Sequence, residues 1–572
     1  MRPLVETLER RIAGVLAAVT GVPDAAAAVK PTEDERFGDF QANGVMGLAK
    51  KLKRNPRELA QEALARLDLG DICSRVEMAG PGFINLTVST RFLRAELGAM
   101  GRDARLGLDE AAERETVVVD FSCPNVAKEM HIGHIRSTII GDAICRLLEA
   151  RGHDVRRINH IGDWGTQFGM LIEYLRRTDP EAVRGGKTLA IGDLEEFYRA
   201  AKARFDEDPE FAEAARREVV KLQAGDPESL AVWRVICDVS RRKFEENYAL
   251  LDVRLDEMGE SVYNRFLPEI VADLAARGIA RESDGAMCVF LEGFGAPFMI
   301  RKRDGGYLYA TTDLAALRYR VGEMGARRIV YVTDARQKEH FRQLFAAARL
   351  AGYAGEDVRL DHAAFGSILG ADGTPLKTRE GRNVLLKDVI AEAVARARKV
   401  VAEKNPELPP GEQDAIARIV GVGALKYFDL RQNMTSDYVF DWDRMLALDG
   451  DTAPYLQYAY ARVRSIFRKG GVRDAEYAGA DPRVDARVEA RLGLWLLRFG
   501  ETVECAAREC RPNIVAGYLY ELAARFTAFY GECPVLKAEE PARAGRLRLC
   551  DMTARVLAAG LRLLGIEVSE RM

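Results

Sequence analysis

The chain has 572 residues, of which 48% are hydrophobic and 30% are charged, and its formal net charge is −3. It is too long for a single core, so we expect three or four domains, and the lack of an apolar run of about 18 residues argues against a membrane protein. The near-neutral charge does not exclude a nucleic-acid partner, because a large protein can concentrate positive charge on one face.

The start of the chain and its cysteines favour a cytoplasmic protein. Acidic Glu6 comes early, and no apolar signal-peptide core follows it. Nine cysteines are scattered without a Cys-x-x-Cys pair. This pattern is typical of reduced thiols, and it argues against a structural zinc site. We therefore expect no protein-bound metal.

Residues 1 to about 110 predict a small N-terminal α+β unit. Apolar spacing predicts a helix over 4–16, and a strand is expected near 83–86. Between them, a polar segment at 37–44 leads into a second helix that is rich in lysine and arginine. We interpret the glycine-containing stretch 101–108 as a domain boundary.

Strand-like and helix-like runs alternate from residue 115 to about 390, which predicts a parallel, doubly wound α/β sheet. The expected strands lie at 116–121, 155–161, 286–291 and 328–333. A charge-rich, helix-favouring insertion at about 176–260 lacks strand signals. We interpret it as a solvated helical excursion from the sheet.

Beyond a turn-rich connector at 405–411, the pattern is helical to the end. Amphipathic runs lie at 455–467, 487–499, 514–530 and 547–564. Arginine and aromatic residues recur along these helices and would suit unstacked RNA bases. For this domain taken alone, a helical core with solvated arginines is the simpler interpretation of the same pattern.

The sequence His131-Ile132-Gly133-His134 follows the strand expected at 116–121 and opens a helix. A strand, a glycine turn and a helix N-terminus together suit a nucleotide phosphate, since glycine allows close approach and backbone N–H groups point at the anion. Two imidazoles can also donate to a pentavalent α-phosphate. The four residues alone are not specific.

The segment from Asp120 to Lys128, which leads into this signature, makes it specific. With its Ser-x-Pro-Asn-x-Ala-Lys pattern, it resembles the class I aminoacyl-tRNA synthetases, and in particular the arginyl type. The similarity continues at 306–313, 331–337, 375–381 and 564–572.

The resemblance implies a multidomain α/β architecture. A class I Rossmann-type catalytic domain would occupy 111–390 and contain the insertion at about 176–260. The N-terminal domain, 1–110, would bind the tRNA elbow. A helical connector, 391–450, would lead to an all-helical anticodon-binding domain at 451–572.

The resemblance also implies the activity. Such an enzyme ligates L-arginine to tRNA(Arg) in two steps, through arginyl-adenylate, with ATP as a substrate and Mg²⁺ carried with it. The family further implies a monomer, and adenylate formation that needs bound tRNA.

Recognition of arginine requires carboxylates, because a guanidinium is always charged and a carboxylate can bind it bidentately. The resemblance assigns Asp120, Tyr309 and Asp313 to the substrate side chain, and Asn125 and Gln337 to the polar contacts of the bound amino acid. On a helix, the spacing of four would place Tyr309 and Asp313 on one face. Alternatively, Asp313 is the N-cap of a helix over 314–319.

The catalytic residues implied by the resemblance are His131, His134 and Lys128. All three would contact the ATP phosphates, and Gly133 would leave room for the adenosine. No covalent nucleophile is needed, because in-line attack on a phosphate depends on positioning and charge stabilisation.

The second class I signature, of the KMSKS form, is degenerate in this chain. Its best match lies at 374–378, and it would contribute Lys377 and Arg379 to ATP binding from a mobile loop. The alternative is a surface turn that is followed by basic residues.

For tRNA binding, the resemblance assigns Phe40, Gln41 and Asn43 to the segment that contacts the D-loop. An ordinary turn entering a helix would have the same residues.

The other histidines have simpler interpretations. His160 either lines the ATP pocket or is packed and hydrogen-bonded. His340 is expected to orient Gln337, and His153 and His362 are expected to be structural or on the surface.

Three rival functions remain at this point. One is a class I synthetase for another amino acid, and another is a small nucleotidyltransferase with the same signature, which would not need RNA-sized accessory domains. The third is a tRNA-binding paralogue without catalysis, against which the intact His131, His134, Lys128 and Asn125 argue.

Overall fold

The N-terminal part combines a four-stranded antiparallel sheet with four helices. A computed structural model describes residues 4–32, 34–183, 194–376 and 384–572. The elements are α1 (Leu4–Thr20), β1 (Val29–Pro31), β2 (Phe40–Ala42), α2 (Gly44–Leu52), α3 (Pro56–Arg66), β3 (Cys73–Ala79), β4 (Phe83–Val88) and α4 (Thr90–Arg102). The sheet order is β1-β2-β4-β3. The apolar spacing predicted α1 correctly, because Leu8, Ile12 and Leu16 are its fully buried residues.

The central sheet is parallel and has the strand order β12-β11-β5-β6-β7. The strands of this region are β5 (Thr116–Asp120), β6 (Asp154–Asn159), β7 (Asp256–Glu257), β8 (Ala280–Ser283), β9 (Ala286–Val289), β10 (Phe298–Arg301), β11 (Arg328–Tyr331) and β12 (Arg359–His362). The order reverses at β5, because β6 pairs on one side of it and β11 on the other. Such a switch point opens a crevice at the carboxyl end of the strands.

Helices alternate with these strands along the chain, as the sequence pattern predicted. They are α5 (Gly133–Ala150), α6 (Gln167–Thr178), α7 (Pro180–Val183), α8 (Leu194–Glu207), α9 (Pro209–Gln223), α10 (Pro227–Leu250), α11 (Leu267–Ala276), α12 (Tyr309–Gly322) and α13 (Lys338–Leu350). Short 3₁₀ helices lie at Glu35–Phe37, Glu260–Phe266, Ala335–Gln337 and Asp474–Glu476.

One predicted strand belongs to a different sheet. Residues 286–291 were expected in the parallel sheet, but β9 lies in a separate antiparallel sheet with the order β10-β9-β8. Asp284 and Gly285 connect β8 to β9 with φ angles of 51° and 78°. Two left-handed residues form the tight turn that closes a hairpin. β9 therefore pairs with its neighbour β8 and not with a strand of the parallel sheet.

The described part of the insertion at about 176–260 is mainly helical, as predicted, but it also contributes to the sheet and to the crevice. It contains β7, an exposed edge strand whose polar residues carry no hydrophobic signal. Helix α10 also supports the crevice, since the Tyr248 hydroxyl lies 2.8 Å from the Ser122 hydroxyl and accepts a hydrogen bond from Asn159 Nδ2.

The rest of the chain is mainly helical, as predicted. Its elements are β13 (Ile368–Leu369), α14 (Leu386–Lys404), α15 (Pro410–Leu430), β14 (Tyr438–Val439), α16 (Trp442–Leu446), α17 (Ala453–Gly470), α18 (Arg487–Leu496), α19 (Phe499–Glu509), α20 (Asn513–Glu532) and α21 (Ala542–Leu563). Among the described helices, none combines the length and apolar character that crossing a membrane requires.

Candidate active site

The segment that leaves β5 bends sharply over the crevice. Ser122, Cys123 and Ala127 have positive φ angles of 72°, 49° and 63°. The bend is held by backbone hydrogen bonds from Ser122 N–H to Ser137 Oγ and from Ala127 N–H to Ser240 Oγ. Non-glycine residues adopt this conformation only when their surroundings enforce it, and such strain concentrates at functional sites.

This bend leaves Asn125 and Lys128 exposed. Asn125 forms an isolated parallel bridge with Gly162, and a Cβ atom on Gly162 would lie 2.1 Å from Asn125 Oδ1. Only glycine therefore permits this position of the amide. The Lys128 ammonium lies 5.1 Å from the centre of the Tyr198 ring, which belongs to α8 of the insertion.

The two signature histidines hold each other at the start of α5. His134 Nδ1 accepts a hydrogen bond from His131 N–H at 3.1 Å, and His131 Nδ1 accepts one from Gly133 N–H at 3.0 Å. An imidazole whose Nδ1 accepts carries its proton on Nε2 when it is neutral. Burial, aided by His131 and Lys128, lowers the pKa of His134 to about 4. At neutral pH, His134 is thus a neutral Nε2–H donor.

Helix α12 carries Tyr309 and Asp313 on one face, as predicted. Because α12 begins at Tyr309, Asp313 lies within the helix, and the alternative of an N-cap is wrong. Tyr309 is 63% exposed, whereas the Asp313 side chain is only 22% exposed. Asp313 Oδ2 lies 2.7 Å from His340 Nε2, and Asp313 Oδ1 lies 3.9 Å from His160 Nε2.

Asp120 lies at the end of β5, as predicted, but it already has a guanidinium partner. Arg320 of α12 is fully buried, and its Nη1 lies 2.7 Å from Asp120 Oδ2. Cys123 Sγ donates to the other carboxylate oxygen at 3.1 Å. Sequence analysis missed Arg320, although its spacing from Tyr309 and Asp313 is typical of one helical face.

Glu260 was also missed. It opens the 3₁₀ helix after β7 and is half-buried. Its side chain forms no ion pair or hydrogen bond with the described part of the chain. Burial, and to a smaller extent the Asp313 and Asp163 carboxylates, raise the pKa of Glu260 to about 8. Its position just after a strand of the parallel sheet could have marked Glu260 as a candidate site residue, but β7 itself was not predicted.

His160 and His340 both lie near the Asp313 carboxylate. His160 is packed, with its ring 5.4 Å from the Tyr263 ring, and burial lowers its pKa. His340 bonds to Asp313, so the expectation that it orients Gln337 was wrong. Gln337 lies exposed at the end of the 3₁₀ helix 335–337.

The last two histidines are structural, as expected. His153 Nδ1 accepts a hydrogen bond from Glu115 N–H at 3.3 Å. His362 Nε2 lies 2.9 Å from Thr333 Oγ1.

Lys377 and Arg379, predicted for the second signature, lie outside the described residues. The described chain on both sides of them makes defined backbone contacts. Before them, Leu369 pairs with Pro375. After them, Leu386 N–H donates to Met130 O at 2.9 Å, directly beside the histidine signature.

The candidate tRNA residues of the N-terminal part differ in exposure. Phe40 is only 4% exposed, so its side chain is a core group. Gln41 is half-buried and its Nε2 donates to Asn85 Oδ1 at 2.8 Å. Asn43 precedes α2 without capping it, and its Oδ1 has no hydrogen-bond partner among the described residues.

The C-terminal aromatic residues divide in the same way. Tyr518, Phe526 and Phe529 are buried core residues. Trp495 instead lies between two arginines, with the guanidinium carbons of Arg498 and Arg525 at 4.4 Å and 3.9 Å from the ring centre.

Comparisons with known proteins cover almost the whole chain. Residues 99–442 match the family described as "tRNA synthetases class I (R), catalytic domain". Residues 456–572 match "DALR anticodon binding domain", and residues 6–88 match "Arginyl tRNA synthetase N terminal domain".

Individual relatives are similar over their full length. The chain is 50% identical to the arginine–tRNA ligase of Hahella chejuensis and 49% identical to that of a Synechococcus species, with 100% of each chain covered. Among solved structures, arginyl-tRNA synthetase from Plasmodium falciparum matches with a TM-score of 0.88 at 29% identity. The Thermus thermophilus arginyl-tRNA synthetase matches with a TM-score of 0.83 at 28% identity, and both alignments cover 100% of each chain.

Proposed function

The chain belongs to the arginyl-tRNA synthetase family, whose members ligate arginine to tRNA(Arg), and from this we propose how its own residues perform the reaction. The observation that carries the proposal is the Asp313 carboxylate, held by a histidine next to exposed Tyr309 at the same crevice as the signature histidines. A carboxylate in this position suits a substrate that carries a permanent positive charge.

Asp313 binds the arginine guanidinium, and Tyr309 packs along the substrate side chain. Glu260 supplies a second carboxyl group, which is mostly neutral in the free enzyme at neutral pH. A bound cation would favour its charged form. Asp120 forms an ion pair with Arg320. It therefore supports the pocket and is not an unpaired carboxylate for the substrate. Exposed Asn125 and Gln337 contact the polar groups of the bound amino acid.

In the first step, an oxygen of the arginine carboxylate attacks the α-phosphorus of ATP in line. The bond to the pyrophosphate oxygen breaks, and pyrophosphate leaves with that electron pair. The Nε2–H groups of His131 and His134 donate to phosphate oxygens as charge develops, and the Lys128 ammonium adds a positive charge. Gly133 keeps the approach open for the adenosine, and Lys377 and Arg379 complete the phosphate contacts.

Mg²⁺ enters with ATP, where phosphate and water oxygens hold it and it neutralises phosphate charge. Within the described ranges, no group of three or more His, Cys, Asp or Glu side chains is arranged to hold a metal ion.

In the second step, the terminal ribose hydroxyl of tRNA attacks the carbonyl carbon of arginyl-adenylate, and AMP leaves. We propose that domain 1–110 contacts the tRNA elbow through Gln41, Asn43 and the exposed lysines that end α2. The C-terminal domain, 451–572, receives the anticodon, and Arg498 and Arg525 around Trp495 suit an unstacked base.

Between these two domains we propose a catalytic domain at 111–390, with the insertion at about 176–260, and a connector at 391–450. We propose a monomer that works in the cytoplasm. Nine free cysteines, of which seven are buried, support a reducing compartment.

Charging of total tRNA with each standard amino acid tests the activity, alongside ATP–pyrophosphate exchange with and without tRNA. Charging with arginine alone is expected, and exchange only in the presence of tRNA would match the family's behaviour. Charging with a different amino acid would contradict the proposed pocket, and tRNA binding without any charging would leave a non-catalytic paralogue.

A further inference from the structure

His340 lies in the first turn of α13 and reaches across to α12. Its Nε2 is 2.7 Å from Asp313 Oδ2, and its side chain is 14% exposed. Asp313 is a carboxylate of the proposed guanidinium pocket, so this imidazole contacts a group that would contact substrate.

Aromatic rings hold the His340 imidazole in place. The ring centre lies 4.9 Å from that of Tyr309 and 5.3 Å from that of Phe341, both edge-on. The Phe298 ring, which belongs to β10 of the antiparallel sheet, stacks on the imidazole with the ring centres 6.2 Å apart. Packing from three elements fixes the direction of the Nε2 atom, and the same histidine touches both Tyr309 and Asp313.

The hydrogen bond has a geometric consequence for the carboxylate. A carboxylate that is tethered through one oxygen cannot rotate freely, and each oxygen still has lone pairs for a second donor. His160 Nε2, at 3.9 Å from Asp313 Oδ1, is too distant for a hydrogen bond. Asp313 Oδ1 therefore keeps its lone pairs for another donor while Oδ2 is held.

We propose that His340 is a positioning residue that fixes Asp313 for guanidinium binding through its Nε2–H. The inference rests on the proposed function, because it requires Asp313 to bind the substrate side chain. A histidine that only packs would need its ring but not its donor. The two roles are separated by variants that keep the ring and variants that keep the donor.

The central comparison is His340→Phe against His340→Gln, measured as KM for arginine and for ATP in aminoacylation. His340→Phe keeps a ring and removes the donor, so the arginine KM should rise about tenfold or more, as expected when a charged group is deprived of a hydrogen bond. His340→Gln keeps an amide donor and should restore most of the affinity. The KM for ATP and kcat should stay near wild type in both.

An equal arginine KM in His340→Phe and His340→Gln, whether raised or not, would overturn the inference. If His340→Phe folds poorly, His340→Leu supplies the same donor-free comparison with a smaller side chain. His153→Gln is the matched control, because His153 lies outside the crevice and bonds to the backbone N–H of Glu115. Its kinetic constants should not change.

Asp313→Asn separates failure of this inference from failure of the proposed function. If Asp313→Asn leaves the arginine KM unchanged, Asp313 is not in the pocket, and its proposed role in binding the guanidinium is wrong. If Asp313→Asn raises the arginine KM but His340→Phe does not, only the inference about His340 fails. If His340 acts through Asp313, His340→Phe should add no further effect in the Asp313→Asn background.

Discussion

At the scale of residues, the proposed guanidinium pocket contains carboxyl groups whose charges are balanced in different ways. The Asp120 charge is balanced by buried Arg320, and Glu260 is largely protonated at neutral pH. Among the described residues, no arginine or lysine side chain forms an ion pair with Asp313, and its Oδ2 lies 2.7 Å from His340 Nε2. A carboxylate that is fixed in direction suits a planar guanidinium better than the rotating ammonium of lysine.

Arginine binding should depend on pH through Glu260. Below pH 8 the free carboxyl is mostly neutral, and a bound cation favours its charged form, so binding releases a proton. The arginine KM should therefore fall as pH rises from about 7 to about 9, by roughly threefold to tenfold. Steady-state aminoacylation across this range tests it.

Glu260→Gln serves as the control for that dependence. The amide keeps the size of the side chain and does not titrate, so the pH dependence of the arginine KM should largely disappear. A wild-type pH profile in Glu260→Gln would show that another group is responsible.

His134→Ala should reduce kcat by about 10²–10³, the usual cost of removing one transition-state donor. The arginine KM should change little, because the proposed role of His134 is to contact the ATP phosphates. Single-turnover adenylate formation with tRNA present measures this directly. A decrease of less than about threefold would exclude His134 as a donor in the transition state.

At the scale of elements, a buried ion pair joins α5 to α15. Arg136 Nε lies 3.0 Å from Asp429 Oδ2, and both side chains are at most 1% exposed. Arg136 also donates to Ser436 O and Met434 O, and the Tyr438 hydroxyl donates to Asp429. The helix that carries the signature is thereby tied to β14, whose partner strand leads into the predicted ATP-binding loop.

Breaking that pair from one side should be costly. Arg136→Met leaves the Asp429 carboxylate buried without its cation, which should lower the free energy of unfolding by about 3–5 kcal/mol. The double variant Arg136→Met/Asp429→Asn removes both charges and keeps an acceptor for Tyr438, so it should recover much of that stability. Urea unfolding followed by circular dichroism tests both, and a double variant as unstable as the single one would contradict the argument.

One strand escaped prediction, and another was assigned to the wrong sheet. β7 is two exposed acidic residues at a sheet edge, so neither alternation nor hydrophobicity marks it. β9 has a strand pattern, but a pattern does not specify its partner. The Asp284-Gly285 turn was a readable hairpin signal that outweighed the regional alternation.

At the scale of the whole molecule, the N-terminal and C-terminal parts contact each other. Arg94 of α4 pairs with Asp485, and Arg555 of α21 donates to Gly101 O and Asp103 O at 2.7 Å each. The N-terminal and C-terminal parts are therefore held together beside the catalytic sheet. A tRNA that contacts both the N-terminal and the C-terminal part would bind to two parts that are packed against each other.

The lysines that end α2 should contribute to tRNA binding. Lys50, Lys51 and Lys53 are exposed. Replacing all three by glutamine should raise the KM for tRNA and reduce its logarithmic salt dependence by about one for each lysine–phosphate ion pair that the substitution removes. The KM for arginine should not change. The matched control replaces the same lysines by arginine, and an equal tRNA KM in both triple variants would remove this helix from the interface.

The sequence by itself determined the signature, the strand–turn–helix around it, the helical C-terminal domain and the family. These features depend on residues that are close along the chain, where periodicity and turn chemistry act. Tertiary structure alone decided that Arg320 neutralises Asp120, that His340 holds Asp313 and that Phe40 is a core residue. Strand order and packing bring these partners together, and local sequence does not encode which distant side chains meet.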